Sequence, residues 1–477
     1  MWQPVLMICG YFISLLGAAM LFPAALEMYE TKADWSVFLS SSIVAVFIGV
    51  SLFLANRGKI KEITLQQAYL LTVLSWVSVT VLAALPFVFY GVGFADSLFE
   101  AASGVSTTGA TIFADVEKLP RSILLWRALL NGMGGVGIVI FAIAMLPFLG
   151  IGGMQIFQRE NSDVNEKFMP KISYIAKRII AVYLILMTAC LLMMKGLGMG
   201  WFDSLCHTLT TISTGGFSTK NASIGAFHNP ALEWGITLFM FLGALPLTFY
   251  HSLLLTKDIH SLRSTQVAAF IKVLLVYIVM MTIWLDYKGT YAPFEALRQA
   301  AFNVVSMVTS TGYTSVNWLN WGAFASTAFI VFALTGGCTG STSGSIKIFR
   351  WQVVWAQLSR AFITTTEPNR MVPLKIGGAV LDYKVAQSIF VFFIAYAFSV
   401  AAITLLVALS GVDFATALSA TVACMTNSGP GVVPLIGPAG TYASLTDSVK
   451  CLLSFAMILG RLEVLTVLVL FTKNFWR

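Results

Sequence analysis

The chain has 477 residues, of which 58% are hydrophobic and only 10% are charged, and its formal net charge is +8. Ordinary soluble domains carry roughly 25% charged residues, so the composition argues against a soluble enzyme or binding domain. Apolar stretches long enough to cross a hydrocarbon core of ~30 Å as helices recur along the chain. Because helices satisfy their own backbone in lipid, the sequence predicts an all-α polytopic membrane protein.

The predicted elements alternate between long apolar runs and shorter semi-polar ones. The long runs lie near residues 4–26, 35–55, 68–91, 123–149, 173–195, 231–255, 265–286, 324–366 (interrupted), 381–410 and 446–472. The short runs lie at 94–108, 200–214, 293–311 and 413–428. They are too short to span a bilayer and too apolar for free loops, so we predict re-entrant segments that are buried or line water. The first long run lacks a basic flank and a cleavage site, and we expect it to be a retained helix.

The distribution of Lys and Arg predicts the orientation in the membrane, because cytoplasmic connections are enriched in these residues. The predicted cytoplasmic set is Arg57, Lys59, Lys61, Arg159, Lys167, Lys171, Lys177, Arg178, Lys257, Arg263, Lys347, Arg350, Arg360, Arg370, Lys375, Lys384, Lys473 and Arg477. The opposite side carries Lys32, Lys118, Arg121, Lys220 and Lys288. Both termini are therefore expected in the cytoplasm, with the short runs on the outer side.

After two N-terminal helices, a unit of long helix, short run and long helix occurs four times. The short runs align on Gly109, Gly215, Gly312 and Gly429, about a hundred residues apart. In the first and third, Phe, Ser, Val, Thr, Gly and Thr coincide over thirteen positions, 99–111 and 302–314. We predict a two-helix extension at 1–60 and units at 61–160, 161–258, 259–368 and 369–477, arranged around a pseudo-fourfold axis.

Four re-entrant loops around one axis would form the entrance of an ion pore. Glycine permits extended chain with inward carbonyl oxygens, and Ser or Thr hydroxyls add acceptors. The four core sequences contain no carboxylate, and the pore helices would point the negative ends of their dipoles at the axis, so a monovalent cation is favoured. Any single Thr-Gly pair is equally consistent with a turn or with helix packing. The predicted filter residues are Thr107, Thr108, Gly109, Ser213, Thr214, Gly215, Ser310, Thr311, Gly312, Asn427, Ser428 and Gly429.

The four units, these loops and the late Gly460-Arg461-Leu462-Glu463 closely resemble the Trk/Ktr/HKT superfamily of potassium transporters. The two additional N-terminal helices are similar to its TrkH branch. The resemblance implies a K⁺-selective pore within one subunit of a bacterial inner-membrane protein, with K⁺ held by backbone oxygens of Thr107, Thr108, Thr214, Thr311 and Ser428. It also implies a homodimer on a cytoplasmic TrkA-type nucleotide-binding subunit. K⁺ is the transported ion, and neither a bound cofactor nor nucleic acid is expected.

Two further features are predicted beneath the filter. Residues 335–345, rich in Gly, Ser and Thr, interrupt a spanning helix; they form either a gate or a packing kink. The predicted gate residues are Gly336, Gly337, Gly340, Ser341, Gly344 and Arg461. Arg461 lies in an apolar helix, where a charge is costly unless it faces water or a partner. It is either part of a structural ion pair or a cation in the pore. In the superfamily, an intramembrane loop obstructs the pore and moves on activation, and this Arg occupies the pore.

Other motifs carry less weight. Gly132–Gly137 matches Gly-x-Gly-x-x-Gly but lies within a predicted spanning helix, which favours helix packing over nucleotide binding. The six cysteines and four histidines show no disulfide or zinc pattern, and nothing suggests a membrane enzyme. His207 is assigned no role. An H⁺- or Na⁺-coupled symporter is the alternative function, with Glu100 and Glu463 as its main candidate carboxylates. Acidic residues open the four short helices, where they favour the helix N-terminus: Asp96, Asp203, Glu295 and Asp413.

Overall fold

The computed structural model describes residues 2–30, 35–58, 63–149, 168–250 and 264–476. Eight basic residues used to predict the orientation lie outside the described residues: Lys32, Lys59, Lys61, Arg159, Lys167, Lys257, Arg263 and Arg477. The described chain is mostly helical, with one two-stranded hairpin. The helical fold class is therefore confirmed.

The N-terminal extension consists of α1 (Trp2–Ala19), α2 (Leu21–Tyr29) and α3 (Trp35–Ala55). The first and third of these helices pack closely because glycines lie at the crossing. A Cβ on Gly10 would lie 2.6 Å from the carbonyl oxygen of Gly49. Small residues of this kind let helix backbones approach each other in membranes.

The remaining helices follow the predicted fourfold element order. The first unit contains α4 (Leu65–Ala83), α5 (Leu85–Phe89), α6 (Phe94–Val105) and α7 (Arg121–Leu149), and the second contains α8 (Phe168–Gly196), α9 (Trp201–Ile212), α10 (Pro230–Gly243) and α11 (Leu247–Tyr250). The third contains α12 (Thr265–Tyr287), α13 (Pro293–Val308), α14 (Ala323–Thr335) and α15 (Ile348–Thr366). The fourth begins after the antiparallel hairpin of β1 (Lys375–Ile376) and β2 (Ala379–Val380), and contains α16 (Tyr383–Leu409), α17 (Phe414–Met425), α18 (Asp447–Arg461) and α19 (Val464–Leu468).

Within the described ranges, seven helices are long and apolar enough to cross a membrane, or eight if one bent pair is counted as a span. Three of the ten predicted long runs are broken instead. The run predicted at 231–255 ends as a helix at Gly243, just before Pro246, a residue that cannot continue a helix without losing a hydrogen bond. The run at 324–366 is broken at its glycine-rich segment, as predicted. In the fourth unit, the chain bends by 112° between Asp447–Arg461 and Val464–Phe471.

The two ends of the described chain pack against each other. The rings of Trp2 and Trp476 are stacked with their centroids 6.3 Å apart, and Gln66 Nε2 donates to the carbonyl oxygen of Phe475 at 3.0 Å. Both ends therefore lie on the same side of the helical bundle. Their cytoplasmic location stays a prediction, and so do the unit boundaries, three of which fall outside the described residues.

Candidate functional site

The four pore helices, α6, α9, α13 and α17, end in the same way. One residue beyond the cap of each helix, a non-glycine residue has a left-handed φ between 53° and 57°: Thr107, Thr214, Ser310 and Asn427. The next amide then donates to a carbonyl oxygen five residues back, at 2.8–3.0 Å. These bonds join Thr108 to Ser103, Gly215 to Thr210, Thr311 to Ser306 and Ser428 to Ala423. This is a Schellman ending. In two of the loops the left-handed residue is a β-branched threonine, Thr107 or Thr214, for which this conformation is strained.

Two residues after each left-handed residue, every loop has a glycine with φ between 75° and 86°. Each glycine packs against a carbonyl oxygen of the next loop in chain order, and the fourth packs against the first. A Cβ on Gly109, Gly216 or Gly312 would overlap the carbonyl oxygen of Gly215, Thr311 or Ser428, respectively, and one on Gly429 would lie 2.6 Å from that of Thr108. The four loops therefore close into a ring around one axis.

This ring corrects the predicted alignment of the second loop by one residue. The glycine equivalent to Gly109 is Gly216, not Gly215. Because the pore helix α9 ends at Ile212, the left-handed position falls on Thr214. Ser213 is consequently the cap of the helix, and Gly215 takes the place of Thr108. In the other three loops, the aligned positions coincide as predicted.

The hydroxyl groups in three of the loops bond to one another. The Oγ atoms of Ser106 and Thr108 lie 2.6 Å apart, those of Thr309 and Thr311 lie 2.8 Å apart, and those of Thr426 and Ser428 lie 2.9 Å apart. In the second loop, Gly215 has no side chain, and Asn131 fills the space where a Cβ would lie. No described residue donates a hydrogen bond to the carbonyl oxygens of Thr108, Gly215, Thr311 or Ser428. These four oxygens are therefore free to face an ion.

Behind each loop, a polar side chain of the pore helix forms a hydrogen bond to the segment that follows the glycine. Glu100 accepts from the amide of Ile112 at 3.0 Å, and His207 Nε2 lies 2.9 Å from Ser218 Oγ. Asn303 Nδ2 donates to Ser315 Oγ at 2.8 Å, and Ser419 Oγ accepts from the Val432 amide at 2.7 Å. The first three lie nine residues before their glycine in the corrected alignment. From the sequence, His207 could be a polar partner behind the filter, but a lone histidine is more often structural, so no role is predicted for it. The corrected alignment shows its match to Glu100.

Residues 336–347 form a buried loop between α14 and α15. This loop lies on the side of the ring where the pore helices end. The Gly344 amide donates to Ser310 Oγ at 2.7 Å, and Thr342 Oγ1 donates to the carbonyl oxygen of Ile212 at 2.9 Å. A Cβ on Gly344 would come within 2.6 Å of the carbonyl oxygen of Thr426. The loop thus contacts the second, third and fourth filter loops at their left-handed ends.

All the predicted gate residues except Arg461 lie in this segment. Gly336 and Gly340 have φ of 75° and 82°, a conformation that glycine adopts without strain. The carbonyl oxygen of Gly337 accepts from the amide of Ile348 at 3.0 Å, and Ser341 Oγ donates to the carbonyl oxygen of Cys338 at 2.6 Å. The segment is therefore an ordered, non-helical crossing of the protein interior. A kink within one continuous helix, the other predicted possibility, would not separate α14 and α15 by a loop of this length.

Arg461 lies at the C-terminal end of α18 and is 3% exposed. Its Nη1 donates to the carbonyl oxygen of Thr342 at 2.9 Å, whereas Nε and Nη2 have no partner among the described residues. Glu463 does not pair with Arg461; it forms ion pairs with Arg350 at 2.6 Å and with Lys347 at 3.6 Å. Arg461 is therefore a buried guanidinium that is bonded to the loop at 336–347 and does not form the structural ion pair with Glu463.

The remaining motifs have structural partners. Gly134 packs against the carbonyl oxygen of Val105 and Gly132 packs against Leu209, so the glycine-rich run of α7 serves helix packing. Asp413 caps α17 by accepting from the Thr416 amide at 3.0 Å. Among the residues described, no group of three or more His, Cys, Asp or Glu could hold a metal ion.

Comparison with known proteins gives the family. Residues 35–477 match the model of the TrkH family, described as "Cation transport protein". The chain belongs to this family. It is a family of multi-pass membrane transporters, which confirms the predicted superfamily and the prediction that the chain is not an enzyme.

Similar proteins match along their whole length. The Trk system potassium uptake protein TrkI of Halomonas elongata is 38% identical, and the alignment covers 100% of this chain and 97% of that protein. The Trk system potassium uptake protein TrkH of Salmonella typhimurium is 33% identical over 100% of this chain and 99% of that protein. The crystal structure of the potassium transporter TrkH from Vibrio parahaemolyticus superimposes with a TM-score of 0.93 at 30% identity, covering all of both chains.

Proposed function

We propose that the chain is the membrane subunit of a K⁺ uptake system and that K⁺ crosses through the ring of four loops. The observation that carries this proposal is the cyclic contact of each filter glycine with a carbonyl oxygen of the next loop. An entering ion would exchange its water shell for the carbonyl oxygens of Thr108, Gly215, Thr311 and Ser428. Further oxygens would come from Thr107 and Thr214. The similarity to potassium uptake proteins of the Trk system supports K⁺ as the ion.

The intramembrane loop at 336–347 is proposed as the gate. Its contacts with Thr214, Ser310 and Thr426, at the ends of three of the four loops, support this role. Arg461 holds its tip through the carbonyl oxygen of Thr342. A positive charge at this point also opposes the passage of a cation. Opening would require the loop to leave the filter and Arg461 to leave the axis.

The structure speaks against the coupled-symporter alternative. Its two candidate carboxylates are both held by cations, Glu100 by Arg127 at 2.7 Å and Glu463 by Arg350 at 2.6 Å. A carboxylate in a buried ion pair is a poor binding site for a transported H⁺ or Na⁺. Binding the ion would take the carboxylate away from its arginine and leave the buried arginine as an uncompensated charge. Movement of K⁺ down its electrochemical gradient requires no such site.

Regulation is proposed to come from a cytoplasmic TrkA-type nucleotide-binding subunit on a homodimer in the inner membrane, as the resemblance implies. Exposed basic residues that would meet this partner are Arg370, Lys375 and Lys384. The basic surface is smaller than the sequence predicted, because Lys347 and Arg350 are buried. These two residues neutralise Glu463 inside the protein instead of facing the cytoplasm.

Ion flux into proteoliposomes that contain the purified chain tests the proposal. We expect Rb⁺, a tracer for K⁺, to enter well ahead of Na⁺ without an imposed pH or Na⁺ gradient. Protein-free liposomes give the background leak. Equal Rb⁺ and Na⁺ fluxes would contradict K⁺ selection, and uptake that requires a pH gradient would establish the symporter instead.

A further inference from the structure

A charged pair lies behind the filter, between the first and second loops. Glu100 in the pore helix α6 and Arg127 in α7 are joined by an Nε–Oε1 contact of 2.7 Å. Their side chains are 0% and 2% exposed. Removing one partner of such a buried pair would leave the other as an uncompensated charge.

Each member of the pair also contacts a filter loop. Glu100 accepts from Thr111 Oγ1 at 3.1 Å and from the Ile112 amide at 3.0 Å, just after the glycine of the first loop. Arg127 Nη1 donates to the carbonyl oxygen of Ser218 at 3.1 Å, just after the glycine of the second loop. The Arg127 guanidinium also lies over the Phe217 ring, 4.1 Å from its centroid. The pair therefore connects the two loops through charged hydrogen bonds.

The equivalent contacts elsewhere in the ring are uncharged. The side chains of His207, Asn303 and Ser419 each form an uncharged hydrogen bond to the segment that follows the glycine of their own loop. The second and third loops are bridged by the Tyr313 hydroxyl, which donates to the carbonyl oxygen of His207 at 3.2 Å. The fourth and first are bridged by the Tyr442 amide, which donates to the carbonyl oxygen of Thr111 at 2.9 Å. Charge-assisted bonds are shorter and stronger than neutral ones, and among the loop contacts just compared only those of Glu100 and Arg127 carry charge.

We propose that Glu100 and Arg127 are positioning residues that determine ion selectivity by fixing the carbonyl oxygens of Thr108 and Gly215 relative to each other. The inference rests on the proposed function of the ring as a K⁺ filter. Selectivity depends on the size of the ring of carbonyl oxygens and on how freely it can adapt. Without the charged connection, the ring would contract more readily around the smaller Na⁺. Neither side chain touches the ion in this account.

The test compares the Rb⁺/Na⁺ flux ratio of variants in proteoliposomes. Glu100→Gln keeps the shape of the side chain but removes its charge, and Arg127→Lys keeps a charge but loses the planar fork. We expect each to lower the ratio about 30-fold, the factor that a charged hydrogen bond contributes to an equilibrium. Thr111→Val removes one hydroxyl from the same network and should lower the ratio less. The matched control is Glu233→Gln, which breaks another largely buried pair, with Arg298 at 3.2 Å, away from the filter loops.

The flux ratio is chosen because general destabilisation reduces the amount of active protein without altering the ratio. A wild-type ratio in Glu100→Gln and Arg127→Lys, with a selective wild-type protein, would overturn this inference alone. A fall of the same size in Glu233→Gln would also overturn it. A wild-type protein that does not select Rb⁺ would refute the proposed function, and the inference with it. If the two charged-pair variants do not fold, the ratio of Thr111→Val decides the question.

Discussion

Replacing Arg461 by alanine tests the gate directly. The substitution removes the 2.9 Å hydrogen bond from Nη1 to the carbonyl oxygen of Thr342, at the tip of the intramembrane loop. It also removes a positive charge from the proposed ion path. The filter loops themselves lose no hydrogen bond to Arg461. We therefore expect faster Rb⁺ uptake with an unchanged Rb⁺/Na⁺ flux ratio.

The size of the effect follows from the single bond that is lost. A hydrogen bond from a charged donor contributes about 2 kcal/mol, and each 1.4 kcal/mol is a factor of ten in an equilibrium constant. The open fraction of the loop should therefore rise by about 30-fold while the closed state still predominates. Stability should not fall, because the guanidinium has two buried donors, Nε and Nη2, without partners among the described residues.

The assay is the initial rate of Rb⁺ uptake into proteoliposomes, together with the melting temperature in detergent. Arg461→Lys serves as the matched control, because it keeps the charge while losing the guanidinium. A rate between those of the wild type and the alanine variant would separate the electrostatic barrier from the hydrogen bond. Unchanged or abolished uptake in an alanine variant of normal melting temperature would refute the role of Arg461 in the gate.

Two further substitutions test the ring and the charges beneath it. Gly216→Ala would place a Cβ against the carbonyl oxygen of Thr311, so the Rb⁺/Na⁺ flux ratio should fall; an unchanged ratio would contradict the corrected register. Glu463→Gln would leave Arg350 and Lys347 without their buried carboxylate. The free energy of unfolding should drop by about 3–5 kcal/mol, which thermal denaturation measures, and a wild-type melting temperature would show that the three charges are not coupled as described.

Much of the architecture is predictable because the bilayer imposes it. Lipid requires long apolar helices, so their approximate positions follow from composition. The four short runs were recognisable because they are too short to span, and the structure makes each of them a pore helix followed by a tight loop. For the third, the predicted run of 293–311 contains the helix Pro293–Val308 and the first residues of its loop.

The errors arise where local sequence permits more than one structure. Either Gly215 or Gly216 could occupy the critical position of the second loop, and the end of the pore helix at Ile212 decides between them. The burial of Lys347 and Arg350 depends on Glu463, which lies more than a hundred residues away in the chain. Contacts of this kind arise only when the third and fourth units pack together, and no local pattern predicts them.

The central claim is that four carbonyl oxygens around one axis bind the transported ion. Anomalous diffraction from crystals grown in Rb⁺ tests it most directly. The account predicts an anomalous peak on the axis, surrounded by the carbonyl oxygens of Thr108, Gly215, Thr311 and Ser428, and weakened when Gly216 is replaced by alanine. Well-ordered loops with no peak on the axis, or a peak only at carboxylates elsewhere in the protein, would contradict it.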